Sequence, residues 1–178
     1  FNVDGSTLEM IGAEHSPGFE LTTGSFGQAL SQAGGIAMAR RLRGDTGRTF
    51  VFISDGELEE GQTWEAIQAL AFYQLDSVVV YVDVNGQQVD GYTTEVRTIE
   101  PIASRIHAFG GGVRTVDGHD IEALMTADTT GRAPRKPHVV LCYTDSAREM
   151  PMLESRKPHL HYVRFKTDAE LTEAVELR

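Results

Sequence analysis

Cysteine is nearly absent from this sequence: Cys142 is the only one among 178 residues, which excludes an internal disulfide. It lies in the apolar run 139–143, where a buried, inert thiol is the expected state. No apolar run approaches the roughly 20 residues that a membrane-spanning helix needs. The N-terminus also lacks the charged-then-apolar pattern of a secretory signal. These absences predict a cytoplasmic protein without a membrane partner.

Positive charge is also scarce, with 16 basic against 26 acidic residues and a formal net charge of −10. An acidic chain is poorly suited to bind nucleic acid or an anionic membrane, so both are excluded as main partners. Residues 1–178 are enough for one well-buried domain. Because the chain starts with Phe1 rather than Met, we expect this domain to be incomplete at its N-terminus.

Apolar runs alternate with amphipathic stretches along most of the chain. The pattern predicts strands over 49–53, 78–82, 113–116 and 138–143, and helices over 25–43, 58–75, 97–108, 120–127 and 168–177. Such alternation is typical of an α/β fold, a doubly wound parallel sheet with helices on both faces. The irregular stretch 144–164 is longer than a simple connection, which is typical of a functional or interface loop.

Polar residues follow two of the predicted strands. Asp55 and Gly56 come after strand 49–53, and Asn85 comes after strand 78–82. If these strands are parallel neighbours, Asp55 and Asn85 meet at the carboxyl edge of the sheet, where open α/β sheets bind ligands. A carboxylate, an amide oxygen and loop carbonyls suit Mg²⁺, which usually binds together with phosphate oxygens. The plainer interpretation is a β-turn followed by a polar strand end.

The whole stretch 53–91 resembles the thiamine diphosphate motif of the transketolase family. That motif is Gly-Asp-Gly followed by Asn, after an interval similar in length to the one between Asp55 and Asn85. The corresponding residues here are 54–56 and 85–87. The resemblance implies a thiamine diphosphate-binding fold in which Mg²⁺ is bound by Asp55, Asn85 and the backbone carbonyl of Gln87. Gly56 would let the backbone approach the diphosphate. Ser54 stands where the family usually has Gly.

A second stretch, PGFELTTGSFGQ at 17–28, is similar to another segment of the family. The resemblance implies that the backbone of Gly24 contacts the aminopyrimidine of the cofactor and that Phe26 packs on its rings. It also implies that Glu60 takes part in a carboxylate relay at a subunit interface. Glu57 and Glu59 are interpreted as carboxylates that favour a helix start through the helix dipole.

The chain also departs from the family. The position of the family histidine that contacts substrate and cofactor is occupied by Met10 here. His15 lies nearby and is a candidate replacement, but we favour its interpretation as a solvated loop histidine. Further along, His159 and His161 are candidates to reach the diphosphate or the substrate, and we favour His161. The spacing of these two histidines would also suit Zn²⁺, but no third ligand is evident.

The resemblance implies transfer of a two-carbon ketol unit from a ketose to an aldose. It covers only the diphosphate-binding half of a transketolase, so the pyrimidine-binding domain is expected on a C-terminal partner subunit. The expected assembly is a hetero-oligomer with two copies of each subunit. Two alternatives stay open: transfer to an unusual acceptor or carrier in a specialised pathway, and a degenerate subunit without catalytic activity.

Overall fold

A four-stranded parallel sheet forms the centre of the computed structural model, which describes residues 6–7 and 16–176. The sheet strands are β1 (Thr49–Ser54), β2 (Val78–Val84), β5 (Gly112–Asp117) and β6 (His138–Tyr143), in the order β1-β2-β6-β5. All three pairings are parallel. Two short strands, β3 (Gln87–Gln88) and β4 (Gly91–Tyr92), form a separate antiparallel hairpin.

Helices connect the sheet strands, as the sequence pattern predicts. The α-helices are α1 (Ala29–Arg43), α2 (Gly61–Phe72), α3 (Thr93–Val96), α4 (Ile102–Ala108), α5 (Ile121–Ala127) and α6 (Asp168–Glu176). Two 3₁₀ helices cover Asp55–Glu59 and Pro151–Arg156. Within the described ranges, none of these helices combines the length and the apolar character needed to cross a bilayer.

Alternate residues of β6 belong to different cores, which shows that both faces of the sheet are used. Val139 and Leu141 join the larger core, formed with residues of α1, α2 and α4. Val140 and Cys142 join a smaller core, against which residues of α5 pack. Side chains alternate between the faces of a strand, so the predicted doubly wound α/β fold is confirmed. As expected, Cys142 is free and buried.

The first helix begins four residues later than predicted. Gly27 has φ +76°, in the left-handed region, so the segment before Ala29 forms turns instead of a helix. The N-cap of α1 is Gln28. The end is as predicted, with basic residues in the last turn and Gly44 in a left-handed conformation.

The predicted helix 58–75 is divided at Glu60. This residue has extended dihedral angles, and it separates the first 3₁₀ helix from α2. The hydroxyl of Thr63 and the indole N–H of Trp64 donate hydrogen bonds to the carbonyls of Glu57 and Leu58, each at 2.7 Å. These side chains satisfy carbonyls that a continuous helix would have used. Phe72, the last residue of α2, is 76 % exposed.

Other element boundaries also differ from those predicted from the sequence. Pro101 stands at the N-cap of α4, so the helix begins at Ile102 and not at Arg97. The sequence pattern does not show the β3–β4 hairpin or α3. The stretch 144–164 is irregular, as expected, apart from its 3₁₀ helix.

Candidate functional site

Asp55 lies at the carboxyl end of β1 and is completely buried. One carboxylate oxygen, Oδ2, accepts a hydrogen bond from the backbone N–H of Gly86 at 2.7 Å. The other, Oδ1, is buried without a hydrogen-bond partner among the described residues. A buried acceptor of this kind is costly unless something binds it. The structure therefore brings Asp55 and the segment after β2 together, as the sequence predicts.

Asn85 follows β2 directly, and its side-chain amide is fixed at both ends. Its Oδ1 accepts from the backbone N–H of Gln87 at 2.9 Å, and its Nδ2 donates to Asp83 Oδ2 at 2.8 Å. The second oxygen of Asp83 accepts from the hydroxyl of Thr144 at 2.5 Å. Because only the amide nitrogen can donate to Asp83, this network orients the Asn85 oxygen.

The electrostatics of the site favour a cation. Burial raises the pKa of Asp55 to about 6, although the Gly86 N–H lowers it, and the charge of Asp83 raises it further. A carboxyl group that is difficult to ionise when no counter-ion is near becomes an anion readily when a metal ion binds beside it.

The donor set fits Mg²⁺ better than Zn²⁺. It consists of the Asp55 oxygen Oδ1, which has no partner among the described residues, and the oriented amide oxygen of Asn85. Both are hard oxygen ligands of the kind that Mg²⁺ prefers. No cluster of three or more His, Cys, Asp or Glu side chains able to hold a metal exists in the described part of the chain. The arrangement is therefore chemically suited to a hard cation such as Mg²⁺.

Gly56 packs closely against the β3–β4 hairpin. A Cβ added at Gly56 would lie 3.3 Å from the Cβ of Gln88, so a larger residue would push the hairpin away. Ser54, where the family has Gly, adopts φ −91° and ψ 163°. Any L-residue adopts these angles easily, so the substitution introduces no backbone strain.

Gly24 and Phe26 both border a groove of about 540 Å³. Gly24 has φ +123° and Phe26 is 52 % exposed. The groove extends along β1 and includes Phe50 and Phe52, but neither Asp55 nor Asn85 borders it. Gly24 and Phe26 thus border a cavity that the predicted metal ligands Asp55 and Asn85 do not.

The acidic residues after Gly56 have different environments. Glu60 is exposed at the N-terminus of α2. Glu57 lies in the first turn of the 3₁₀ helix Asp55–Glu59, in agreement with a helix-start carboxylate. It also accepts a hydrogen bond from the backbone N–H of Gly27 at 3.1 Å. Sequence reasoning missed this contact, and it missed the contacts of Asp83. For Asp83 a signal existed, because residues two apart on a strand share a face.

His161 borders a small cavity of about 70 Å³ together with Asn85, Gln87 and Ser146. The amide nitrogen of Gln87 donates to Ser146 Oγ at 3.3 Å. The structure therefore brings His161 near two of the predicted metal ligands. His159 is exposed and does not border this cavity. Met10 and His15 lie outside the described residues.

His119, in the turn after β5, makes a structural contact. Its Nε2 accepts a hydrogen bond from the backbone N–H of Asp145 at 2.8 Å. This contact ties the turn after β5 to the start of the irregular stretch 144–164.

Comparison with known proteins agrees with this geometry. Residues 10–161 match the family described as transketolase, thiamine diphosphate binding domain. The chain belongs to the transketolase family. It carries the thiamine diphosphate-binding domain of that family.

Individual relatives show what share of a transketolase-family protein this chain covers. The transketolase family protein y4mO of Sinorhizobium fredii is 38 % identical over 99 % of this chain and 64 % of its own length. The 6-deoxy-6-sulfo-D-fructose transketolase subunit SqwG of a Clostridium species is 38 % identical over 71 % of the chain and 46 % of its own length. An apulose-4-phosphate transketolase subunit of Actinobacillus succinogenes is 33 % identical, with coverage of 88 % and 56 %. The chain thus spans about half to two thirds of these relatives.

Solved transketolase structures share the fold. A crystal structure of transketolase from Pichia stipitis with sedoheptulose 7-phosphate has a TM-score of 0.72 and 30 % identity, covering 81 % of this chain and 23 % of that one. Transketolase from Leishmania mexicana gives 0.68 and 29 %, with the same coverage.

Proposed function

We propose that this chain is the diphosphate-binding subunit of a split, transketolase-like enzyme. In the proposed reaction, a two-carbon ketol unit moves from a ketose to an aldose with thiamine diphosphate and Mg²⁺ as cofactors. The observation that carries the proposal is the buried Oδ1 of Asp55, which has no partner among the described residues, beside the oriented amide of Asn85. The cofactor supplies the carbon chemistry when it is bound.

The proposed work of this chain is to bind and orient. Asp55, Asn85 and the backbone carbonyl of Gln87 would hold Mg²⁺, and the metal would hold the diphosphate. Gly56 would leave room for the diphosphate at the strand end. The cavity shared by Asn85, Gln87 and His161 supports a place for His161 at the diphosphate or substrate end.

The ring end of the cofactor would lie at the turn before α1. Gly24 would contact the aminopyrimidine through its backbone, and Phe26, which is half exposed, would pack on the rings. These two roles rest on the family resemblance and on the shared groove.

A partner subunit would complete the active site. Two relatives are named as subunits, which supports a division of the enzyme between chains. We propose that the partner carries the pyrimidine-binding domain and that the assembly contains two copies of each chain. Glu60, exposed at the start of α2, would then form the carboxylate relay at the interface. A cytoplasmic location agrees with the free, buried Cys142.

The experiment that tests this proposal is calorimetric titration of the co-purified complex with thiamine diphosphate, with and without Mg²⁺. We expect Mg²⁺-dependent binding, followed by ketol transfer when a ketose donor and an aldose acceptor are added. Absence of binding heat in the presence of the partner would refute it. Native mass spectrometry of the same sample checks the two-plus-two stoichiometry.

A further inference from the structure

Two segments that the proposed function assigns to opposite ends of the cofactor are joined by one carboxylate. The turn 24–27 would bind the ring end, and the segment that begins at Asp55 would bind the metal–diphosphate end. Glu57 Oε1 accepts the backbone N–H of Gly27 at 3.1 Å, across 30 residues of sequence. The two segments are therefore in direct contact in the folded chain.

The contact is close because Gly27 has no side chain. A Cβ at Gly27 would lie 3.3 Å from the Cβ of Glu60 and 3.4 Å from the Cβ of Gln62. The residue is buried, and its positive φ of +76° favours glycine. The turn thus packs directly against the start of α2, and its position depends on the contacts with Glu60 and Gln62.

Glu57 is itself held firmly. Its carbonyl accepts a hydrogen bond from the hydroxyl of Thr63 at 2.7 Å, and Thr63 is 1 % exposed. Leu58, the next residue, is 1 % exposed. A half-buried carboxylate on such a fixed backbone can set the position of the N–H that it accepts.

We propose that Glu57 is a positioning residue that fixes the distance between the ring-binding turn and the metal–diphosphate site. This inference rests on the proposed function. Preorganisation of two half-sites increases the affinity for a ligand that spans both, but leaves the affinity for a ligand of one half-site unchanged. Thiamine diphosphate spans both half-sites, whereas inorganic pyrophosphate with Mg²⁺ occupies only the metal–diphosphate site.

The test compares these two ligands by calorimetry on the full-length protein co-purified with its partner. For Glu57→Ala we expect thiamine diphosphate affinity to fall about tenfold, the effect of one hydrogen bond to a charged group. Mg²⁺–pyrophosphate affinity should change less than about twofold. Glu57→Gln, whose amide oxygen still accepts the Gly27 N–H, should recover most of the loss. Glu65→Ala, on the exposed face of α2, is the matched control.

A second readout separates positioning from simple loss of structure. Hydrogen exchange should become faster at the Gly27 amide in Glu57→Ala and stay unchanged in Glu65→Ala. Equal weakening of both ligands in Glu57→Ala would overturn the inference, as would faster exchange with unchanged thiamine diphosphate affinity. Failure of Asp55→Ala to weaken either ligand would refute the proposed function, on which the inference rests.

Discussion

The strand-end edge around Asp55 and the irregular stretch 144–164 both border the candidate site, but they are built differently. At the edge, Asp55 is fully buried, and Asp83 and Asn85 are partly buried and joined by a hydrogen bond. In the irregular stretch, Lys157 pairs with Asp145 at 2.6 Å and with Glu154 at 3.1 Å, with both acidic side chains about half exposed. His161 is also exposed.

This difference indicates which part of the site is formed before the cofactor binds. Buried hydrogen bonds between strand ends are strongly constrained, because each unpaired polar group there would be costly. Exposed ion pairs contribute little and rearrange easily. We therefore expect the edge to determine cofactor binding, and the irregular stretch to adjust substrate selection.

The largest effect is expected for Asp55→Ala. Loss of the buried carboxylate removes the proposed metal ligand, so thiamine diphosphate binding and ketol transfer should fall below detection. The fold should remain intact, because the substitution deletes a poorly solvated charge and leaves the sheet unchanged. Calorimetry and thermal unfolding of the co-purified complex measure the two outcomes.

Asp90→Ala, on the exposed tip of the β3–β4 hairpin, is the matched control and should behave like the wild type. Wild-type turnover of the Asp55→Ala complex would contradict the expectation that the strand-end edge determines cofactor binding. It would favour the alternative of a non-catalytic subunit in which the edge has no role.

Asp83→Ala should have the next largest effect. The Asn85 Nδ2 loses its acceptor and the link to Thr144, so the Gln87 N–H alone still orients the amide oxygen. Loss of such a supporting contact typically reduces metal affinity about 10- to 100-fold. The measurement is the Mg²⁺ concentration needed for half-maximal thiamine diphosphate binding. Asp83→Asn should lie between wild type and Asp83→Ala, because its amide can bond both neighbours.

If Asp83→Asn and Asp83→Ala raise the Mg²⁺ requirement equally, the negative charge of Asp83 is the important property and the orientation of Asn85 is not. If neither variant changes the Mg²⁺ requirement, the edge is not the preformed half of the site.

These two substitutions also show how far the sequence can predict this site. Asp55 and Asn85 could be placed together because adjacent parallel strands bring their carboxyl ends to one edge. The contact of Asp83 with Asn85 has a local signal, because the two residues are two positions apart. Its contact with Thr144, which lies 61 residues further along the chain, has none. The same holds for Glu57 and Gly27.

Periodicity also does not encode backbone dihedral angles. The turn at Gly27 and the extended conformation of Glu60 both interrupt stretches whose side-chain pattern is helical. Tertiary contacts at these two points decide the local conformation, and both points lie in the candidate site. The fold was therefore more predictable than the details of the site.

Asp55→Asn should reveal the cost of the buried charge in the metal-free protein. Burial raises the pKa of Asp55 to about 6, above its ordinary value of 3.8. The stability that protonated Asp55 contributes is therefore complete below pH 3.8 and lost as pH rises through about 6. At pH 8 in chelator we expect Asp55→Asn to be about 1–2 kcal/mol more stable than the wild type. The advantage should decrease as pH falls from 6 towards 4.

Urea unfolding of the metal-free protein at several pH values measures this difference. Asp145→Asn is a control from the irregular stretch, where the hydrogen bond from Lys157 lowers the pKa of Asp145. Its effect should have the opposite sign, and it should be small because the group is exposed. A destabilised Asp55→Asn at pH 8 would contradict the view that burial dominates at the edge.

His161→Ala should have the smallest effect of the four. His161 borders the cavity beside Asn85 and Gln87 but is exposed, so a contact it makes to substrate competes with water. Loss of one such hydrogen bond should reduce kcat/KM about 2- to 10-fold, mainly through KM for the donor ketose. Thiamine diphosphate affinity should not change, because the edge determines it. His159→Ala, outside the cavity, should match the wild type. A loss of ketol transfer in His161→Ala as complete as that in Asp55→Ala would mean that the irregular stretch is part of the catalytic framework. The division between a preformed edge and an adjustable segment would then be wrong.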